Sequence, residues 1–259
     1  MGKKEDRIEE IISYLKEHNG ASVKDLATLL NVSEMTIRRD LKILDDNGIV
    51  NNVYGSTIYN PKNVNAISGD YYNLSVATDA HREAKERIGK FAASLIENDD
   101  TVIIDTGSTT EYLARYIDKN LNIRALCVTH NVLKHLVDNE NFSVIFPGGY
   151  YHHNTQMFES EESLSLIKKT RANKVFISAA GVHEKLGLTA SNLYEIYTKK
   201  AFIQSGEEVI LLCDSSKFST VKSAYFGDLK DFNIIVTDTD LSKEWEDIIV
   251  NLGITLYKV

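Results

Sequence analysis

The stretch "SEMTIRRDLKILDDNGIV", Ser33 to Val50, decides how the first part of this chain folds. Ser33 is placed to cap a helix by accepting from amides of its first turn, and Gly48 supplies the left-handed residue that ends one. On a helical wheel Ile37, Leu41 and Leu44 fall on one side. Arg39 lies nearly opposite, flanked by Met35, Thr36, Lys42 and Ile43, with Arg38 toward the edge. The cations point outward as a group, in a chain whose formal net charge is -8.

The flanking residues extend the pattern in both directions. Ile8, Ile11, Ile12 and Leu15 recur at helical spacing, and Asn19-Gly20 supplies a stop. Ser22, three residues before Asp25, predicts a capping box that starts a short helix through Leu30, with Leu26, Leu29 and Leu30 as its apolar side. Asn31-Val32 is the turn into the next helix. After Gly48, "IVNNVYGSTIY" is two β-rich runs around Gly55, a small hairpin or wing closed by Pro61. Residues 1–60 thus read as a winged helix-turn-helix. The polar, weakly periodic stretch that follows reads as a linker over 61–79.

A helix of this length spans ~20 Å, enough to lie in a DNA major groove while Arg and Lys reach base edges or phosphates. A charged outer face also keeps any amphipathic helix soluble. The coincidence of a capped short helix, a tight turn, an Arg-Arg helix and a wing favours double-stranded operator DNA. The candidate contacts are Ser33, Met35, Thr36, Arg38, Arg39 and Lys42, with Lys3 and Lys4 as further phosphate contacts. Bulk charge opposes them, because the first 60 residues hold 8 Lys and Arg against 10 Asp and Glu. Local placement has to supply the attraction, and a homodimer or higher oligomer reading two half-sites is expected.

From residue 80 the pattern changes. A helix is expected over about Ala80 to Ile96, with Ile88, Phe91, Ala92, Leu95 and Ile96 inward. The runs "TVIID", "ALCVT", "SVIFPGG", "KVFISAAG", "EVILLCD" and "NIIVTD" then follow, with "ITLYKV" as a last edge strand. Runs apolar at every position are strands buried on both faces, as parallel sheets are. Residues 80–259 are therefore expected to form a mostly parallel α/β domain.

Ligands of such sheets sit beyond the strands' carboxyl ends. There Gly107 permits close backbone approach, Ser108, Thr109 and Thr110 offer hydroxyls, and a helix starting near Glu111 offers amides to a phosphate. Other strand ends supply Thr129, Asn131, Gly148, Gly149, Ala180, Asp214 and Lys217. Lys217 could place a compact charge on the phosphate. Two roles are open to Asp105, accepting from sugar hydroxyls or bracing its own loop. The segments "YYHHNTQMFES" and "SNLYEIY" border either the pocket or solvent.

Composition excludes several classes. Hydrophobic residues at 43 % and charged residues at 25 % match ordinary globular proteins. No apolar run reaches membrane-spanning or signal-peptide length, so cytoplasm is the expected location and no membrane partner is expected. Cys127 and Cys213 each sit in an apolar run and read as buried thiols, no His/Cys cluster has zinc-ligand spacing, and adjacent His152 and His153 point apart on a strand. No metal or other cofactor is expected. The ATP-type phosphate loop GxxxxGK[ST] is absent.

"SEMTIRRDL" followed by "NGIV" resembles the signature of the DeoR-type family of bacterial transcriptional regulators. So do "DTGSTT", "VTHN", "PGG", "GLT" at Gly187 to Thr189, Glu195 near Lys199 and Lys200, and "DSSKF". The resemblance implies a ribose-phosphate-isomerase-like effector domain that senses a phosphorylated sugar or related intermediate, with Glu195 added to the site, and repression relieved by effector. Family wings often carry a basic residue and His before Gly-Gly where this chain has "NNVYGST", so the DNA expectation rests on the helix. Asp105, Glu195, Asp214 and His183 are available as bases, yet Ser178, Ala179, Ala180 and Gly181 stand where ribose-phosphate isomerases carry an Asp-rich turn. Binding without turnover is expected, with no catalytic residue.

Overall fold

Residues 3–18, 20–46, 50–53, 56–59, 74, 77 and 81–259 are described by the computed structural model. They fall into two units, Met1–Tyr71 and Tyr72–Val259. Gly48, Gly55, Pro61, the side chains of Lys3 and Lys4, and almost all of the expected linker lie outside the described residues.

The first unit runs α1 (Lys3–His18), β1 (Ala21–Ser22), α2 (Val23–Leu29), α3 (Glu34–Asp46), β2 (Val50–Val53) and β3 (Ser56–Tyr59). Ser22 forms the capping box, its hydroxyl accepting from the Asp25 amide at 3.1 Å while the Asp25 carboxylate accepts from the Ser22 amide at 3.3 Å. Asn31 turns the chain at φ 50°, and the Ser33 hydroxyl accepts from the Thr36 amide at 3.2 Å to start α3. Ile8, Ile11, Leu15, Leu26, Ile37, Leu41, Leu44 and Val50 make the core, beside an antiparallel sheet of order β1-β3-β2.

Two expected side-chain positions fail here. Leu29, expected inward, is 53 % exposed, because α2 is two turns long and Leu26 and Ala27 already fill its core positions. Ile43, expected beside Arg39 on the outer face, is buried, because α3 also packs on β2 and so has neighbours on more than one side.

The second unit begins with α4 (Arg82–Ala93), β4 (Thr101–Ile104), α5 (Ser108–Tyr116), β5 (Ile123–Cys127), α6 (His130–Leu136), β6 (Phe142–Ile145) and the hairpin β7 (Tyr150–His152) to β8 (Met157–Glu159). It continues with α7 (Glu161–Lys169), β9 (Ala172–Ser178), β10 (Gly181–His183), β11 (Gly187–Ala190), α8 (Glu195–Ser205) and β12 (Gly206–Leu212). It ends with β13 (Ala224–Gly227), β14 (Ile234–Thr237), α9 (Lys243–Asn251) and β15 (Thr255–Lys258).

Seven strands form one sheet of order β15-β14-β12-β9-β4-β5-β6, each neighbouring pair parallel. All six apolar runs and the last edge strand belong to it. Ile103, Val175 and Leu211 pack with Ile167, Phe202 and Trp245 of α7, α8 and α9 on one face. Ile104, Phe176 and Leu212 pack with Ile88, Leu113 and Val132 of α4, α5 and α6 on the other. Double coverage is why these runs lack polar alternation. The hairpin β7-β8 and the antiparallel sheet β10-β11-β13 were not anticipated, being strands of three or four residues that leave almost no periodic signal.

Smaller differences have local causes. The helix expected over Ala80 to Ile96 is Arg82–Ala93, and the helix expected from Glu111 starts at Ser108 with Gly107 as its cap. Leu74, inside the expected linker, is buried in the second unit, its amide donating to the Asn154 carbonyl at 2.8 Å. Cys127 and Cys213 are both buried and free, and burial pushes the Cys127 thiol up to about 12. No described helix is long and apolar enough to cross a membrane, and no described group of three His, Cys, Asp or Glu could hold a metal ion.

Helices α4 and α5 touch at Gly89, where a Cβ would stand 2.5 Å from Tyr112 Cβ and 2.6 Å from the Leu113 amide nitrogen. Backbone cannot yield as a flexible side chain can, so Gly89→Ala should cost about 1–3 kcal/mol in urea denaturation. An unchanged midpoint would show that the two helices separate freely there.

Candidate functional site

In the first unit α3 is held from below by the Arg7 guanidinium, whose Nε stands 2.7 Å from the buried Asp40 carboxylate. Burying Ile37, Asp40, Leu41 and Leu44 leaves the opposite face to solvent. Ser33, Met35, Arg38, Arg39 and Lys42 are exposed there and Thr36 half-buried. Met35, at 71 % exposure, is an apolar tip with no core to fill. Arg38 lies 3.6 Å from Glu34 one turn away, a surface pair worth at most a few tenths of a kcal/mol and easily exchanged for a phosphate. The Ser33 hydroxyl is engaged as the helix cap.

In the second unit the sheet order reverses direction between β4 and β9, and in open α/β sheets ligands bind beyond the carboxyl ends of the strands at such a point. Asp105, just past β4, is fully buried. Its Oδ2 accepts from the ammonium of Lys199, itself 2 % exposed, and from the Ser178 amide at 3.0 Å. Lys199 also donates to the Ser178 carbonyl at 3.0 Å. Of the two roles open to Asp105, one oxygen therefore braces the loop, while Oδ1 is buried without a partner.

Unpartnered oxygens collect along this same edge. Asp40 Oδ1 in the first unit is one of six buried side-chain atoms lacking a hydrogen bond among the described residues; the other five are Asp105 Oδ1, Thr129 Oγ1, Asn131 Oδ1, Asp214 Oδ2 and Thr237 Oγ1. They sit at the ends of β4, β5, β12 and β14. A buried polar atom left unpaired costs about 1–3 kcal/mol, and five of them lie along this one edge.

The remaining predicted residues divide into those facing this row and those spent on structure. Gly107 has φ +142°, and a Cβ there would meet Ser178 Oγ at 2.6 Å, so close approach requires glycine. It delivers Ser108 and Thr109, both buried, to the first turn of α5, where amides have no intrahelical acceptor. Thr110 instead donates its hydroxyl to the Gly107 carbonyl at 3.0 Å and braces the turn. Asn131 donates Nδ2 to the same carbonyl at 3.0 Å and to Glu111 at 3.2 Å.

Gly149 packs against the hairpin, since a Cβ would stand 2.3 Å from the Glu159 carbonyl oxygen, whereas Gly148 has open space. The Ala180 amide is used by the Thr189 carbonyl at 2.9 Å. Glu195 accepts from the Asn192 amide and side chain at 3.2 and 2.9 Å and stands 3.9 Å from Lys199. Burial pushes its carboxyl above the usual range despite Lys199 beside it. Asp214 Oδ1 accepts from Ser216, and Lys217 is half-buried next to it.

Sequence reasoning missed the central cation. Lys199 entered only as a neighbour of Glu195, and its sole local signal is the i,i+4 spacing on one helix. It also missed Ser178 and Tyr194, whose hydroxyl donates to Asn154 Oδ1 at 2.9 Å, pairs with Thr155 at 3.1 Å, and whose ring stacks on His152 at 3.7 Å.

Residues 7–63 match the family described as "DeoR-like helix-turn-helix domain", and residues 80–239 that described as "DeoR C terminal sensor domain". The chain is 34 % identical over 236 residues to the deoxyribose operon repressor of Escherichia coli, covering 91 % of each. It is 30 % identical to the transcriptional regulator IolR of Bacillus subtilis, covering 92 % of this chain and 93 % of that one. It is 31 % identical to the lactose phosphotransferase system repressor of Staphylococcus epidermidis, covering 93 % and 95 %. Among solved structures, ribose 5-phosphate isomerase A of Methanocaldococcus jannaschii overlays 54 % of this chain and 55 % of its own, at 15 % identity and TM-score 0.41.

Removing Lys199 would strand the Asp105 carboxylate in the interior. Lys199→Met should therefore cost about 3–5 kcal/mol in chemical denaturation, with part of the loss recovered by adding Asp105→Asn. A single variant as stable as the parent would contradict this pairing.

Proposed function

The chain belongs to the DeoR family of transcriptional regulators, and on that premise we propose that it represses a carbohydrate-metabolism operon under control of a phosphorylated sugar. The observation that supports the sensor half is the row of unpartnered buried oxygens. Asp105 Oδ1, Asn131 Oδ1 and Asp214 Oδ2 are acceptors, and a polyol offers hydroxyl donors to meet them. The phosphate has its own complement in Lys217 and the first-turn amides of α5.

Turnover is disfavoured by the same geometry. The turn after β9, Ser178 to Gly181, holds no carboxylate, and Asp105 and Glu195 are tied to Lys199, Ser178 and Asn192 rather than free to move a proton. The domain holds a ligand and lets it go. A ligand shifts the regulator only by its differential affinity for the DNA-competent and DNA-free arrangements, and we assign tighter effector binding to the latter, so that effector relieves repression.

DNA binding belongs to Arg38, Arg39 and Lys42, with Met35 and Thr36 against base edges. One such unit makes few phosphate contacts, so a homodimer on two half-sites supplies the rest. Arg39→Ala should weaken binding to the chain's own upstream DNA and reduce the slope of log affinity against log salt by ~0.9 per lost contact. Arg39→Ala and Lys42→Ala variants that retard that DNA like the parent would refute the assignment of α3.

For the effector, a panel of sugar monophosphates scored by thermal shift should yield one that raises stability by ~2.7–4.1 kcal/mol at 100 to 1,000 times its Kd. Lys217→Ala should abolish that shift. The same panel incubated with the protein should return unconverted, and isomerised product would replace the sensor with an enzyme.

A further inference from the structure

Helix α8 meets water, yet none of its charged side chains is exposed. Glu195 and Lys199 are buried and Lys200 is half-buried, while the exposed positions are Tyr197 and Gln204. Its apolar residues stand on every side, with Ala201 and Phe202 buried, Ile203 half-buried and Tyr197 69 % exposed. A helix facing solvent keeps its apolar residues to one stripe, and the neighbouring α7 turns Glu161, Glu162, Lys168 and Lys169 outward.

Other exposed apolar side chains gather around Tyr197. Leu193, one turn earlier, is 66 % exposed. Lys200, one turn later, places its ammonium 5.3 Å from the centroid of the Tyr225 ring on β13. A Cβ on Gly187 would stand 2.8 Å from Tyr225 Cε2, so the β10–β11 turn, with exposed Leu186, abuts the same ring. The Lys222 amide donates at 2.9 Å to the hydroxyl of Thr189, the strand partner of Tyr225, which brings exposed Val221 beside β11. Leu186, Leu193, Tyr197, Val221 and Tyr225 thus form one surface on α8 and the small antiparallel sheet. Side chains of this size at half exposure each leave of order 100 Å² in water, and together they reach the few hundred Å² that mark an interaction surface.

Charge selects the occupant. Two copies of a chain with net charge -8 repel unless they meet where acids are not in excess. The rim of this surface carries Lys185, Lys200 and Lys222 against Glu184 and Asp228. Both signs around an apolar centre suit an isologous contact, in which a cation of one copy faces a carboxylate of the other across a two-fold axis. We propose that this face of α8 and β10-β11-β13 is the surface through which two copies of the chain pair. The proposal rests on the repressor reading, which calls for a homodimer, and deepens it by naming the surface.

The surface and the sensor share one helix. Glu195 and Lys199 lie two residues to either side of Tyr197, so at helical spacing they project from the opposite face. A shift of α8 at Lys199 therefore moves the pairing face as well.

Sedimentation velocity of the full chain across a dilution series tests the surface. The parent should self-associate, and Leu193→Asp and Tyr197→Asp should each raise the dissociation constant of the pairing step about a hundredfold. Val250→Asp, which puts the same charge on an exposed apolar position of α9 outside this surface, should leave pairing unchanged. All three positions are exposed, so the thermal midpoints should match the parent. If Tyr197→Asp does not fold, Leu186→Asp in the β10–β11 turn takes its place. A parent that remains a monomer, pairing that survives the α8 substitutions, or an equal loss in Val250→Asp would each overturn the proposal. The repressor reading falls separately, on α3 variants that retard the upstream DNA like the parent.

Discussion

A sheet buried on both faces leaves its polar chemistry one outlet, the residues just past the strands' carboxyl ends, and the Lys199–Asp105 ion pair holds the centre of that edge together. Asp105 follows β4, Lys199 arrives from α8, and Ser178 at the end of β9 gives its amide to one and its carbonyl to the other. Two strands and a helix are fixed at the point where the sheet order reverses. Burying two charges is not in itself stabilising, since desolvation offsets much of their attraction. What the pair provides is position: it sets Gly107 against Ser178 at the start of α5.

Around that centre the hydrogen bonding of the edge is incomplete. Asp105, Thr129, Asn131, Asp214 and Thr237 keep buried oxygens without partners, while Thr110, Gly149 and the Ala180 amide are satisfied within the fold. The distinction separates groups with an oxygen still open from groups spent on the fold itself. Glu195 belongs with the latter, since Asn192 and Lys199 surround it.

The first unit handles charge in the opposite way. Its one buried carboxylate among the described residues, Asp40, meets Arg7 through Oδ2 and leaves Oδ1 unpartnered, while the cations of α3 stay in water. An acidic chain can therefore hold DNA without a basic surface overall, because the Debye length of about 8 Å at physiological salt makes the local cluster matter more than distant acids.

The capping box of Ser22, the turn at Asn31, the cap of Ser33 and the outward cations were legible in the sequence because each is made by residues within a few positions of one another. The seven parallel strands were legible because burial on both faces writes itself as unbroken apolar runs. The positions of Leu29 and Ile43, the pairing of β7 with β8, and which strand-end oxygens find partners within the fold were decided only by tertiary structure. So was the burial of Lys85 and Lys199, which as isolated letters look like any solvated lysine. The physical reason is range: caps and periodicity act over one or two turns, whereas a buried charge is compensated by whatever folding brings near, and Lys199 finds its carboxylate 94 residues away.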